Sequence, residues 1–162
     1  MTRRLVFGLT FVGSLFIAAT ASAQLMSKQT LTLATAKQVA VAAEAEAVKN
    51  NWKVVVAIVD DGGHLLYLQR MDEVQIGSID IAIGKANTSV RLKRPTKAVE
   101  DVIAGGRTAF LSVPHLMALE GGIPIVVDGK VLGAVGVSGV TSQQDAQIAK
   151  AGLDAFMKLI GR

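Results

Sequence analysis

Two histidines, His64 and His115, are the only imidazoles in this 162-residue chain, and it has no cysteine. Without a thiol there is no disulfide scaffold, thiolate zinc site, iron–sulfur cluster or cysteine nucleophile. The two imidazoles lie in different halves with no His-x-x-x-His pair. A three- or four-ligand zinc site would therefore need scattered carboxylates from Asp60, Asp61, Asp72 and Asp145. Turn and cap positions already account for Asp60, Asp61 and Asp145. A single axial ligand is less demanding, because haem iron needs one His, Met or Tyr beside an apolar slot and a cation or two for the propionates. His115 and Met117 stand in an irregular apolar stretch, residues 110–119, while His64 opens a β-rich run. The competing reading of each is an exposed or hydrogen-bonded loop imidazole.

Serine chemistry is weaker. Gly136-Val137-Ser138-Gly139-Val140 misses the Gly-x-Ser-x-Gly turn by one position, and a domain this short cannot hold the usual hydrolase sheet. Gly133, Gly136 and Gly139 are spaced three and three, which is not the dinucleotide spacing. What remains is a strand running into a helix start at Ser138, Gly139, Thr141 and Ser142, a place where main-chain amides favour an anionic group. Equally, those glycines serve close strand–helix packing and the turn.

The elements that must position these groups can be read along the chain. Leu33, Ala36, Ala40, Ala43 and Ala47 recur at helical spacing over residues 32–50, with a small-residue face suited to lying flat on a sheet. Two β-rich runs, residues 53–59 and 64–69, flank Asp60-Asp61-Gly62-Gly63 and predict a hairpin. A second helix opens at Gly77-Ser78 with Ile79, Ile83, Ala86 and Val90 as its buried stripe, and it ends before Pro95. A short helix over residues 97–104, a Gly105-Gly106 break and a loop around Ser112-Val113-Pro114-His115 follow. Residues 123–127 and 130–137 about Asp128-Gly129 predict a second hairpin. Thr141 and Ser142, with Gln144 and Asp145 three residues on, predict a capped final helix carrying Ile148, Ala151, Ala155 and Leu159. Hairpins imply antiparallel pairing, and one apolar sheet face then needs helices over it.

Composition sets the setting. Apolar residues make up 51% and charged residues 19%, enough to bury a core. Met1-Thr2-Arg3-Arg4, an apolar run over residues 5–20 and Ala21-Ser22-Ala23 form the three parts of a secretory signal, with cleavage expected after Ala23 and one domain over residues 24–162. The apolar run is too short to span a bilayer, so no membrane span is expected after cleavage. Loss of Arg3 and Arg4 lowers the formal charge from +4 to +2. Trp52, Tyr67, Phe110 and Phe156 are then the only aromatics, so the basic cluster Arg91, Lys93, Arg94 and Lys97 has no interleaved stacking groups and no nucleic-acid partner is expected.

Several segments together resemble one family. They are Val56-Ala57-Ile58-Val59-Asp60-Asp61-Gly62-Gly63, Gln69-Arg70-Met71-Asp72, Gly84-Lys85-Ala86-Asn87-Thr88, Gly121-Gly122-Ile123-Pro124-Ile125, the block from Val131 to Gly139 and the block from Gln144 to Gly152. The chain resembles the haem-binding GlcG/HbpS family, found also as the C-terminal domain of PduO-type proteins. The resemblance implies an α/β (α+β) profilin-like fold with an antiparallel five-stranded sheet flanked by helices, and self-association into a homo-oligomer. It implies binding of haem or another tetrapyrrole in a periplasmic or secreted accessory or sensing role, with an association with haem breakdown and a membrane sensor as a partner to test. On that basis His115 is the preferred iron ligand, Met117 and His64 the others, and Arg70 and Lys85 the propionate partners. Some relatives use a His in the first helix; residues 32–50 contain none here. The rival is a small-organic-acid lyase or isomerase using the helix start at residues 139–143, with Asp145 or Lys85 as acid/base.

Overall fold

The computed structural model describes residues 27–162. The expected signal segment and the expected cleavage after Ala23 lie outside them.

Thr32 begins the first helix, its hydroxyl accepting the Thr35 amide at 3.2 Å. The helix α1 (Leu33–Lys49) buries Ala36, Val39, Ala40, Ala43 and Ala47, the small stripe expected from the spacing. Strands β1 (Val55–Asp60) and β2 (Leu65–Arg70) pair antiparallel. Their turn is held by Asp60, whose Oδ1 accepts the amides of Gly62 at 2.9 Å and His64 at 2.8 Å. Helix α2 (Ser78–Leu92) follows and stops at Lys93, which takes a left-handed conformation. Helix α3 (Thr96–Ala104) and a 3-10 turn (Thr108–Ser112) lead to β3 (Gly122–Val127) and β4 (Lys130–Ser138). Asp128 and Gly129 both have positive φ, which matches the strand twist in a tight hairpin. Helix α4 (Ser142–Leu159) completes the domain behind a full capping box between Thr141 and Gln144.

The strand order is β2-β1-β4-β3, all antiparallel. Alternation along β1 sorts the two faces: Val54, Val56 and Ile58 join the main core under α1 and α4, while Val55, Ala57 and Val59 pack against Ala82, Ala86 and Val90 of α2. The fold is thus α+β with an antiparallel sheet flanked by helices, but among the described residues it has four strands where the resemblance implies five. The reason lies in how the chain is spent. Both hairpins are used, residues 93–121 are taken by α3, the 3-10 turn and loops, and residues 27–32 approach β4 without pairing as a strand. Leu31 is nonetheless buried, its side chain lying where a Cβ on Gly133 would be. None of the described helices is long and apolar enough to cross a membrane.

Candidate functional site

The polar groups singled out in the sequence fall into two neighbourhoods. The first is buried. Lys85 stands on the sheet-facing stripe of α2, beside Ala82, Ala86 and Ser89, and its Nζ reaches Asp145 Oδ2 of α4 at 2.7 Å. Each residue is only 2% exposed. Burial raises the Asp145 carboxyl above the usual carboxylate range, against the pull of Lys85 and of the Val140 and Gly139 amides. The pair ties a helix on one face of the sheet to a helix on the other, passing the start of β3. There a Cβ on Gly121 would meet Asp145 Cβ at 2.8 Å and Lys85 Nζ at 2.9 Å, which is why Gly121 precedes the strand.

This neighbourhood changes three expectations. The ammonium of Lys85 is committed to Asp145, so it does not stand ready for a propionate. The start of α4 already holds a carboxylate, since Asp145 Oδ1 accepts the Val140 amide at 3.2 Å and Thr141 Oγ1 accepts that of Gln144 at 3.4 Å. Ser138 is buried and donates to Ser78 Oγ at 3.3 Å, Gly139 runs against the Lys53 carbonyl, and Ser142 is the first residue of the helix. The four residues proposed to hold an outside anion thus have internal partners or positions. As acid/base groups for an organic acid, Lys85 and Asp145 are shut away from solvent and neutralise one another.

The second neighbourhood is exposed and lies over the outer side of α2. Gly84 leaves room for Met117: a Cβ at Gly84 would come within 3.2 Å of both Cβ and Cε of that side chain. The Met117 amide donates to Thr88 Oγ1 at 2.8 Å, pinning the loop one helical turn further along α2. Two residues earlier His115 is exposed, its backbone in a left-handed conformation at φ 60. Around it the 3-10 turn buries nothing, and Leu111 is 64% exposed, with Val113 and Leu119 also open to solvent. Arg107 lies over the Phe110 ring, 5.1 Å from its centre. An imidazole, an exposed apolar surface and a guanidinium therefore share one segment, residues 107–119.

The other expected ligands lie elsewhere. His64 is exposed at the mouth of β2 and is held by its amide to Asp60. Arg70 is exposed at the far end of the same strand. Two open cavities, of about 580 and 460 Å3, lie near the hairpin tips and the end of α4, and neither is lined by residues 110–119. The apolar surface around His115 is an open face in the single chain, in place of the enclosed slot expected there. Among the described residues no group of three or more His, Asp or Glu side chains could hold a metal ion.

Sequence reasoning missed two things here. Arg107 was not marked, although a cation three residues before an aromatic in an apolar stretch is a legible sign. Nor was the Lys85–Asp145 pair, although a lysine on a helix stripe otherwise made of Ala82, Ala86 and Ser89 calls for a buried counter-charge.

Comparison with known proteins decides the family. The family model described as haem degrading protein HbpS-like matches residues 31–154. The chain belongs to the HbpS-like family. Its relatives include protein GlcG of Escherichia coli K12, 50% identical over 103 residues, which are 64% of this chain and 77% of GlcG. An HbpS double mutant from Streptomyces reticuli superposes with a TM-score of 0.77 at 32% identity, covering 90% of this chain and 99% of that one. A PduOC:Heme complex superposes with a TM-score of 0.71 at 30% identity, over 78% of this chain and 95% of the other. Within this HbpS-like frame Lys85 of α2, Gly121 at the start of β3 and Asp145 of α4 meet at the buried junction between the two helix layers.

Proposed function

We propose that this protein binds haem, or a closely related tetrapyrrole, on the face formed by residues 107–119, as an exported accessory or sensing protein. One observation carries the reading: the exposed imidazole of His115 stands among exposed Leu111, Val113 and Leu119 with a guanidinium, Arg107, on the same segment. The donor set fits the group. A planar macrocycle needs an apolar surface, one nitrogen ligand for iron and a cation for its carboxylates, and this segment supplies each. That a PduOC relative was solved as a haem complex supports the same reading.

When bound, haem would supply a redox-active iron. The chain's own contributions are more limited and more specific. His115 would offer an imidazole nitrogen to iron, the leucine and valine side chains would exclude water from one face, and Arg107 would orient the carboxylates. Met117, anchored by its amide to Thr88, fixes the loop that carries His115. Arg107 takes the role first assigned to Arg70 and Lys85. The haem breakdown in the family's description is on this reading a consequence of holding iron at an open face, without an acid or base from the chain. Titrating the purified protein with hemin should give a saturable Soret shift at one equivalent per chain. An unchanged hemin spectrum in both ferric and ferrous states would overturn the proposal.

A further inference from the structure

In the middle of the sheet β4 outruns its neighbour β1. Their pairing ends at Asp60 opposite Gly133, so residues 130–132 of β4 keep β3 on one side and have no strand on the other. Residues 27–29 pass beside this step without a main-chain hydrogen bond to it. Between them lies a cavity of about 580 Å3, a volume in the range of small-molecule sites. The end of α2 walls it with Val90 and Lys93, and the two hairpin turns wall it with Asp61 and Gly129-Lys130.

The lining is graded from floor to mouth. Val90 and Leu132 are 4% and 7% exposed and Val131 is half-buried beside them, whereas Lys28, Lys93 and Lys130 are exposed. Three ammonium groups therefore face one carboxylate, and that one, Asp61, is taken by Lys28 as its ion-pair partner. Among the described residues neither Lys93 nor Lys130 pairs with a carboxylate. Their places are set by the backbone. Lys93 is the left-handed cap of α2 at φ 52, its amide donating to the Ser89 carbonyl, where glycine or asparagine is the usual residue. Lys130 follows the Asp128-Gly129 turn directly and is held opposite Val127. A helix C-terminus accounts for one cation beside α2, but not for a second, from a separate hairpin, over the same apolar floor.

We infer that this cavity is a binding site for a free organic acid, a small molecule with one anionic head on an apolar body. The body lies on Val90, Val131 and Leu132, and the head stays at the mouth between Lys93 and Lys130. The gradient decides against a lipid headgroup, whose apolar part stays in the bilayer while the charged part enters; here the apolar residues are the deep ones and the cations the outer ones. It decides against a nucleic acid too, because no aromatic side chain lines the cavity. No His, Met or Tyr lines it either, so it offers haem iron no ligand. It shares no residue with the 107–119 face, and its failure would leave the haem reading untouched.

Two probes test it. Anilinonaphthalene sulfonate is an organic anion with an apolar ring body that fluoresces once its rings leave water, and phenylnaphthylamine is its counterpart without the sulfonate. Fluorescence titration of the purified protein should show saturable binding of the sulfonate at one per chain, with the uncharged amine bound at least tenfold more weakly. Lys93→Gln with Lys130→Gln should weaken the sulfonate at least tenfold, leave the amine unchanged and keep a cooperative thermal melt, since both side chains are exposed. Amide shifts in nuclear magnetic resonance spectra recorded with the sulfonate should gather at residues 90–93 and 129–132. No saturable binding of the sulfonate, equal affinity for the two probes, a double variant that binds like the wild type, or shifts gathered at residues 107–119 would each overturn the inference.

Discussion

Replacing Asp145 by Asn keeps an oxygen for the Val140 amide but removes the counter-charge from Lys85. With both residues 2% exposed and 2.7 Å between charged atoms, the ammonium left behind has neither water nor a partner. Breaking one side of such a pair costs about 3–5 kcal/mol. For a domain of this size that lowers the melting temperature by roughly 10–20 °C. Lys85→Met behaves differently, because a stranded carboxylate can take a proton. Burial already raises the Asp145 carboxyl, and without Lys85 it rises further. Its folded-state pKa then lies above the unfolded value, so the folded chain binds more protons between the two. The group's contribution is fully present below the ordinary carboxylate range and is lost as pH rises through the raised value. Lys85→Met should therefore be most stable in acid and weaken steadily toward neutral pH. Lys85→Met with Asp145→Asn should recover at least half of the loss, since no charge is left buried. Urea unfolding of the three variants, followed by the midpoint and slope from about pH 4 to about pH 8, measures all of this. If Asp145→Asn lies within about 1 kcal/mol of wild type, or Lys85→Met is flat or gains stability with rising pH, the buried pair does not hold the two helix layers together.

Three further outcomes follow from the same contacts. Gly84→Val, which places carbon atoms where Met117 packs, should displace the loop carrying His115 and weaken hemin binding at least tenfold, with a smaller change in the urea midpoint; equal hemin affinity would detach that loop from the site. Thr96→Val leaves the buried Gly122 amide without its acceptor and should cost about 1–3 kcal/mol, read by thermal unfolding, and no loss would mean that water replaces the hydroxyl. Arg107→Ala should reduce hemin affinity several-fold while leaving the Soret maximum of the complex in place, because it removes a carboxylate partner and not the iron ligand; a shifted maximum would assign Arg107 a different role.

Local order in this chain was legible because its signals are local. The alanine stripe, the Asp-Gly turns and the Thr141–Gln144 capping box fix the helices and hairpins to within a residue or two, and Thr141 caps where a hydroxyl side chain was expected. The strand order was not legible, because nothing in residues 55–60 or 130–138 states that they lie side by side across the 69 positions from 61 to 129. Nor was the count of four strands among the described residues, since the expectation of five came from likeness and not from an extended run of residues. At the candidate site, His115 drew notice because the chain has only two histidines. Lys85 was not recognised as buried for one reason: a cation's sequence position does not tell whether it faces solvent or a carboxylate 60 residues away.

The central claim is that His115 provides the iron ligand on an open apolar face. Electron paramagnetic resonance of the ferric hemin complex, compared among wild type, His115→Ala and His64→Ala, tests it most directly. The signature of an axial imidazole should be present in wild type and in His64→Ala and absent from His115→Ala. An unaltered signal in His115→Ala, or its loss in His64→Ala, would contradict the account.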